Sequence, residues 1–166
     1  MDASVEHLSI FAEVSTALVG FVAIFLAFVR RDEKFSPEDG IRTRVLILTG
    51  FIGIAMSLIP IIISENNFTE DSIWRFSSII FLSVVLVLMV YVAVRHFQLP
   101  IESRKNIPLW NLALAWTFAF IAILLLSSNV GITNWVEPSF AYTAAILLVL
   151  GVGATNFFTI AIQRLL

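Results

Sequence analysis

The chain has 166 residues, of which 59% are hydrophobic and only 13% are charged, and its formal net charge at pH 7 is -2. A soluble domain has about 45–50% apolar and about 25% charged residues, so this composition indicates a membrane protein. The lack of cysteine excludes disulfides and thiolate chemistry, and the lack of a basic surface argues against nucleic-acid binding.

Five stretches of the sequence are long and apolar enough to predict helices that span a membrane. The first has acidic residues before it and no small-residue cleavage pattern after it, so we expect it to be retained rather than cleaved as a signal peptide. Because the connections are short, we predict one all-α transmembrane domain over residues 1–166, a polytopic bundle of five helices. The predicted helices are Ser9–Val29, Val45–Ser64, Ser72–Val94, Pro108–Ser128 and Ser139–Ile162.

Basic residues are concentrated on one side of the predicted bundle. Only Arg75 among the ten Lys and Arg residues falls on the other side. Short loops rich in Lys and Arg stay cytoplasmic, so we predict a multi-pass protein with its N-terminus outside and its C-terminus in the cytoplasm. The residues on the basic side are Arg30, Arg31, Lys34, Arg42, Arg44, Arg95, Arg104, Lys105 and Arg164.

A narrow stripe of polar and small residues runs along the first predicted helix. Its spacing of three and four places it on one face, and small residues there allow helices to approach closely, so we expect the stripe to face protein or water. Glu13 and Thr16 are candidates for a cation or proton path, while Gly20 and Ala23 are candidates for helix packing. Alternatively, Glu13 reaches headgroup water or bonds a neighbouring helix. The stripe comprises Glu6, Ser9, Glu13, Thr16, Gly20, Ala23 and Ala27.

The first predicted connection carries four arginines, which are Arg30, Arg31, Arg42 and Arg44. Their simplest role is to set the topology of the chain. A second role is the binding of anionic lipid headgroups near the membrane surface.

The second and fourth predicted helices carry faces typical of helix packing. Gly53 and Ser57 on the second helix are small enough for close contact. Pro60 follows them and, because proline lacks an N–H group, should kink this helix or break its last turn. The fourth helix carries Asn111, Ala115, Ala119 and Ala122 on one such face.

Polar residues return on the last predicted helix, where Thr155, Asn156 and Thr159 lie toward the predicted inner side. One interpretation is a polar lining for a permeation path. The other is a close contact between helices with an interhelical amide bond, for which Gly151 would provide the space.

Groups that catalytic and metal sites require are missing from the predicted membrane interior. His7 and His96 are the only histidines, and both lie at predicted helix ends. No serine has a histidine or lysine base at its predicted depth, and no glycine-rich phosphate loop occurs. We therefore expect no enzyme activity, no cofactor and no metal.

Two functions remain open from the sequence. The first is a homo-oligomeric ion channel or small transporter, with Glu13 near the outer mouth and Asn156 with its neighbouring threonines toward the inner side. The second is a non-conducting accessory subunit, sensor or assembly factor whose polar stripes are packing contacts. The expected partners are the lipid bilayer and either further copies of this chain or a larger membrane complex.

Overall fold

The computed structural model describes residues 2–29, 36–66, 68–131 and 136–165, and for residues 2–6, 26–29 and 163–165 it describes the backbone alone. Helices account for nearly all of these ranges, and no strand occurs within them. The predicted all-α fold is therefore confirmed. The helices are α1 (Asp2–Val29), α2 (Pro37–Ser64), α3 (Glu70–Gln98), α4 (Ile101–Lys105), α5 (Leu109–Asn129) and α6 (Pro138–Leu165).

Every helix except the short α4 is long and apolar enough to cross a membrane, which confirms the predicted bundle of five transmembrane helices. Large apolar side chains such as Phe21, Phe51, Val87 and Phe120 are more than half exposed on the outside of the bundle. Water would not tolerate such a surface, whereas lipid covers it without cost. The chain is thus a multi-pass membrane protein.

The second helix begins at Pro37 rather than at the predicted Val45. The side chain of Ser36 caps this start, because its Oγ accepts a hydrogen bond from the backbone N–H of Asp39 at 3.3 Å. Proline fits the first helical position, and the acidic side chains of Glu38 and Asp39 interact favourably with the positive end of the helix dipole. The earlier start brings a group of charged side chains onto the helix instead of a loop.

Four helices form the core of the bundle, and α3 and α6 each pack against both α2 and α5. The first helix lies at the side of this core, against α2 and α6. We name the two ends of the bundle after their charged residues. The basic end carries Arg42, Arg44, Arg95, Arg104 and Lys105, and the acidic end carries Glu65, Glu70, Asp71 and Glu137.

The buried face of α1 is formed by residues spaced seven apart, which are Leu8, Ser15 and Val22. This face meets α2 at Gly53, where a side chain would not fit. A Cβ atom added to Gly53 would lie 2.6 Å from Ser15 Oγ and 2.8 Å from Leu150 Cδ2. Glycine at this position therefore lets α1, α2 and α6 approach one another closely.

Pro60 does not end α2, which continues to Ser64. Because Pro60 has no N–H group, the carbonyl of Met56 one turn earlier has no helical donor. The hydroxyl of Tyr142 on α6 donates to this carbonyl at 2.8 Å, and both residues are buried. An unpaired carbonyl inside a membrane protein is costly, so Tyr142 compensates for the proline.

The ring of Tyr142 also belongs to an apolar cluster that fills the half of the core nearer the acidic end. Its centroid lies 5.7 Å from that of Trp74 and 5.4 Å from that of Phe81. Ala122 and Leu126 of α5 complete the cluster and are fully buried. This half of the core is therefore tightly packed with side chains.

A double-mutant cycle tests the pairing of Tyr142 with the carbonyl that Pro60 leaves free. Tyr142→Phe keeps the ring but removes the donor, so it should lower the free energy of unfolding by about 1–3 kcal/mol. Pro60→Ala restores a backbone N–H for the Met56 carbonyl, and Tyr142→Phe should then cost much less. Reversible unfolding in detergent micelles measures all four proteins. An equal cost of Tyr142→Phe in both backgrounds would contradict the pairing.

Candidate functional site

A cavity lies between α2, α3, α5 and α6 in the half of the bundle nearer the basic end. Its volume is about 80 Å³, and it is partly open to the surroundings. This is less than the roughly 300–1,000 Å³ of a typical ligand pocket, so a bound organic molecule would fit only in part and would extend through the open side of the cavity. The short side chains of Ala115 and Ala119 line it from α5 and leave this space unfilled.

Apolar side chains form most of the cavity wall. Val85, Leu88 and Met89 line it from α3, and Val149 and Val152 line it from α6. These residues lie well inside the apolar lengths of their helices. A wall of this kind favours a hydrocarbon chain over water, because water there would find few polar partners.

Polar and charged residues also line the cavity, mainly near the basic end. Near this end, the lining residues are Glu38 and Arg42 from α2, His96 from α3 and Asn111 from α5. Thr49 and Asn156 lie further along α2 and α6. The cavity therefore combines a long apolar wall with a polar end, which suits an amphipathic molecule better than an ion.

Arg42 is buried at this polar end, with only 3% of its side chain exposed. Its Nη1 donates to Asp39 Oδ1 at 3.3 Å, and its Nη2 donates to the backbone carbonyl of Asn106 at 3.3 Å. Asn106 lies between α4 and α5, and its Nδ2 donates to Glu38 Oε1 at 3.0 Å. This network, which we call the Arg42 network, ties the start of α2 to the connection before α5.

The burial of Arg42 does not favour the predicted contact with headgroups at the membrane surface, and that contact stays a prediction. Residues two apart on a helix point about 200° away from each other, so Arg42 and Arg44 cannot share a face. Arg42 faces the interior, whereas Arg44 is exposed and headgroup binding stays a prediction for it. Arg30 and Arg31 lie outside the described residues.

Asn111 connects α5 to α6 through its side-chain amide. Its Nδ2 donates to the backbone carbonyl of Thr155 at 3.1 Å and to Thr159 Oγ1 at 2.6 Å. Asn111 and Thr159 are both buried, and the Thr159 hydroxyl itself donates to the Thr155 carbonyl at 2.8 Å. Two of the residues predicted to line a pore, Thr155 and Thr159, therefore take part in an interhelical amide contact.

Asn156, the third polar residue predicted on the last helix, lines the cavity and is 6% exposed. Its Nδ2 donates to the backbone carbonyl of Val152 at 2.8 Å, one turn earlier on α6. Asn156 follows Thr155, whose carbonyl binds Asn111, so the two asparagines lie close together at the wall between α5 and α6.

Glu13 and Thr16 lie far from this group, on the exposed face of α1. The hydroxyl of Thr16 donates to the carbonyl of Ala12 on its own helix at 2.8 Å. Ala23 is exposed as well, and a Cβ added to Gly20 would meet nothing within 4 Å. Among the described residues, the stripe of α1 therefore makes no packing contact at these positions, because α1 packs through its opposite face. Contact with a second chain stays a prediction.

The other residues predicted for helix packing lie at contacts between helices of this chain. Ser57 is fully buried on α2, and its hydroxyl donates to the carbonyl of Gly53 at 2.8 Å. A Cβ added to Gly151 would lie 3.0 Å from the ring of Phe118 on α5. The contact at Gly151 therefore brings α6 close to α5.

Glu38 and the inward position of Arg42 were missed from the sequence, although a signal was present. Ser36 followed by Pro37 and two acids is a typical helix start, and it would have extended the second helix and placed Glu38 and Arg42 one turn apart on one face. No local signal exists for the role of Asn111, because its partner carbonyl is 44 residues away in the chain.

Comparison of this chain with protein family models, curated protein sequences and solved structures finds no significant match. Its function must therefore be argued from its own geometry. Within the part of the chain that the structure describes, no group of three or more His, Asp or Glu side chains could hold a metal ion.

The burial of Arg42 and the exposure of Arg44 give a matched pair of substitutions. Arg42→Met removes a buried charge and leaves two buried carboxylates without it, so it should lower the free energy of unfolding by about 3–5 kcal/mol. Arg44→Met removes an exposed charge and should change it by no more than about 0.5 kcal/mol. Unfolding in detergent micelles measures both variants. If Arg42→Met lowers the free energy of unfolding no more than Arg44→Met does, the Arg42 network contributes little to stability.

Proposed function

We propose that this protein binds an amphipathic molecule in the cavity between α2, α3, α5 and α6. The apolar chain of the molecule lies along the wall formed by Val85 and Val149, and its head group lies among Glu38, Asn111 and Asn156. The observation that carries this proposal is a partly open cavity whose wall is apolar at membrane depth and polar near one end.

The position of the polar groups supports this orientation of the ligand. Glu38 is in the first turn of α2 and Asn111 is in the first turn of α5, so both lie near the membrane surface. The apolar wall extends from there toward the middle of the bundle. A molecule in one leaflet has the same arrangement, with its head at the surface and its chain deeper. With the predicted topology, this is the cytoplasmic leaflet.

The packing of the opposite half favours binding over conduction through a single chain. The cluster around Tyr142, Trp74 and Phe81 occupies the core between the cavity and the acidic end. Glu13, the proposed outer mouth of a path, is on the outside of α1 and does not line the cavity. An ion channel formed between several copies of the chain stays a separate hypothesis, which depends on the oligomeric state.

Ligand binding is compatible with either kind of protein that the sequence left open. A small transporter would bind the amphiphile and release it on another side, while a sensor or accessory subunit would bind it and report its presence to a partner. We propose binding without catalysis as the step that these roles share.

Photolabelling tests the proposed binding without assuming a head-group charge. A long-chain alcohol with a diazirine at mid-chain is added to the protein in detergent micelles, irradiated, and mapped by mass spectrometry of peptides. Labelling at Leu88, Met89 and Val152 should saturate and should fall when unlabelled alcohol is added. Labelling at Val87, which faces outward, should rise without saturation. An absence of saturable labelling at the cavity wall would refute the proposal.

Two substitutions on α5 provide the matched control. Ala115→Phe places a ring in the cavity, whereas Ala113→Phe places the same ring on the exposed side of the helix. We expect saturable labelling to disappear in Ala115→Phe and to persist in Ala113→Phe, with both variants melting as cooperatively as the native protein. Unchanged labelling in Ala115→Phe would mean that the labelled site is not this cavity.

A further inference from the structure

Two amides in the cavity wall present acceptors rather than donors to the cavity. The Nδ2 atoms of Asn111 and Asn156 each donate to a backbone carbonyl, that of Thr155 and that of Val152 respectively. A carbonyl can only accept, so these bonds fix which end of each amide is the nitrogen. Each Oδ1 is then the remaining polar atom, and within the described ranges neither accepts a hydrogen bond.

Glu38 supplies a third acceptor. Its Oε1 accepts from Asn106, whereas its Oε2 is buried and has no hydrogen-bond partner among the described residues. The residue is 8% exposed and lines the cavity. A buried carboxylate oxygen without a donor is unfavourable by about 1–3 kcal/mol or more, and a donor brought by a ligand would remove this cost.

The negative charge of Glu38 also favours a cation at this oxygen. Among the described residues that line the cavity, Glu38 is the only acid and Arg42 is the only lysine or arginine, and Arg42 donates to Asp39 and to the Asn106 carbonyl. A hydrogen bond from a cationic donor to a carboxylate is stronger than one from a neutral donor, and the carboxylate would repel an anionic head group. His96 also lines the cavity, from the end of α3.

We infer that the head group of the ligand is a primary ammonium, and this inference rests on the proposed binding of an amphiphile in the cavity. A primary ammonium carries three N–H donors and a positive charge. The cavity wall offers three acceptors, which are Glu38 Oε2, Asn111 Oδ1 and Asn156 Oδ1, and the first of them belongs to a carboxylate. A hydroxyl supplies one donor and no charge, and a carboxylate supplies neither a donor nor a favourable charge.

Competition against the photoreactive alcohol tests this selectivity in the native protein. The competitors share one chain length and end in a primary amine, an alcohol, a trimethylammonium or a carboxylate, so that charge and donors vary separately. We expect the primary amine to displace the probe at a concentration about tenfold lower than the alcohol, with the trimethylammonium weaker than the amine and the carboxylate weakest. Labelling at outward-facing Val87 should not change and serves as the control for micelle partitioning.

The source of the ammonium is distinguished by one more competitor. An ethanolamine phospholipid carries the same primary ammonium on two chains. Displacement by both the phospholipid and the single-chain amine would identify a lipid of the bilayer as a ligand, and displacement by the single-chain amine alone would identify a free amphiphile. Either result supports recognition of the ammonium group.

A matched pair of variants links the preference to Glu38. Glu38→Gln keeps the acceptor for Asn106 but removes the negative charge, so the preference for amine over alcohol should fall to about twofold or less. Glu102→Gln changes an exposed acid on α4 and should keep the native preference. If Glu38→Gln does not fold, the competitor series on the native protein still decides the question.

The outcomes separate this inference from the proposed function. Equal displacement by amine, alcohol and carboxylate, or strongest displacement by the carboxylate, would overturn ammonium recognition while leaving amphiphile binding intact. No saturable labelling by the probe at all would overturn both.

Discussion

The buried guanidinium of Arg42 is the constraint on which the basic half of the bundle depends. A charge inside an apolar bundle is stable only where opposite charges and carbonyls surround it. Asp39 on the same helix and the Asn106 carbonyl before α5 meet this requirement. Asp39 and the Asn106 carbonyl can bind Arg42 only because α2 begins early, at Pro37, and because the connection before α5 folds over the first turn of α2. The Arg42 network thus fixes the polar end of the cavity and the position of Glu38 within it.

The two halves of the core satisfy their polar groups in different ways. Near the acidic end, Tyr142 binds the one carbonyl that Pro60 leaves without a donor, and aromatic rings fill the remaining space. Near the basic end, Asn111 and Asn156 use their nitrogens on α6 backbone carbonyls and leave their oxygens beside a cavity. Acceptors beside a cavity are therefore found in the basic half, where a ligand with donors could bind them. For this reason we propose binding in the basic half.

The sequence was sufficient for the spans, because runs of about 20 apolar residues leave no other fold in lipid. It was insufficient for the faces of the helices. The small and polar stripe with Gly20 suggested a contact, yet α1 packs through Ser15 and its neighbours, since a helix that is apolar all round gives no clear sign of its buried side. Asn156 was recognised as a candidate from its polarity alone. Its role beside Asn111 depends on how α5 and α6 are placed against each other, which no local pattern contains.

The most direct test of the central claim is an experimental structure of the protein saturated with a long-chain primary amine that is brominated at mid-chain. Bromine scatters strongly enough to be located without a full description of the chain. We predict that it lies between α3 and α6 beside Val85 and Val149, with the amine near Glu38. Bromine found only on the lipid-facing surface near Val87, with side chains filling the space between the helices, would contradict the claim that the cavity binds an amphiphile.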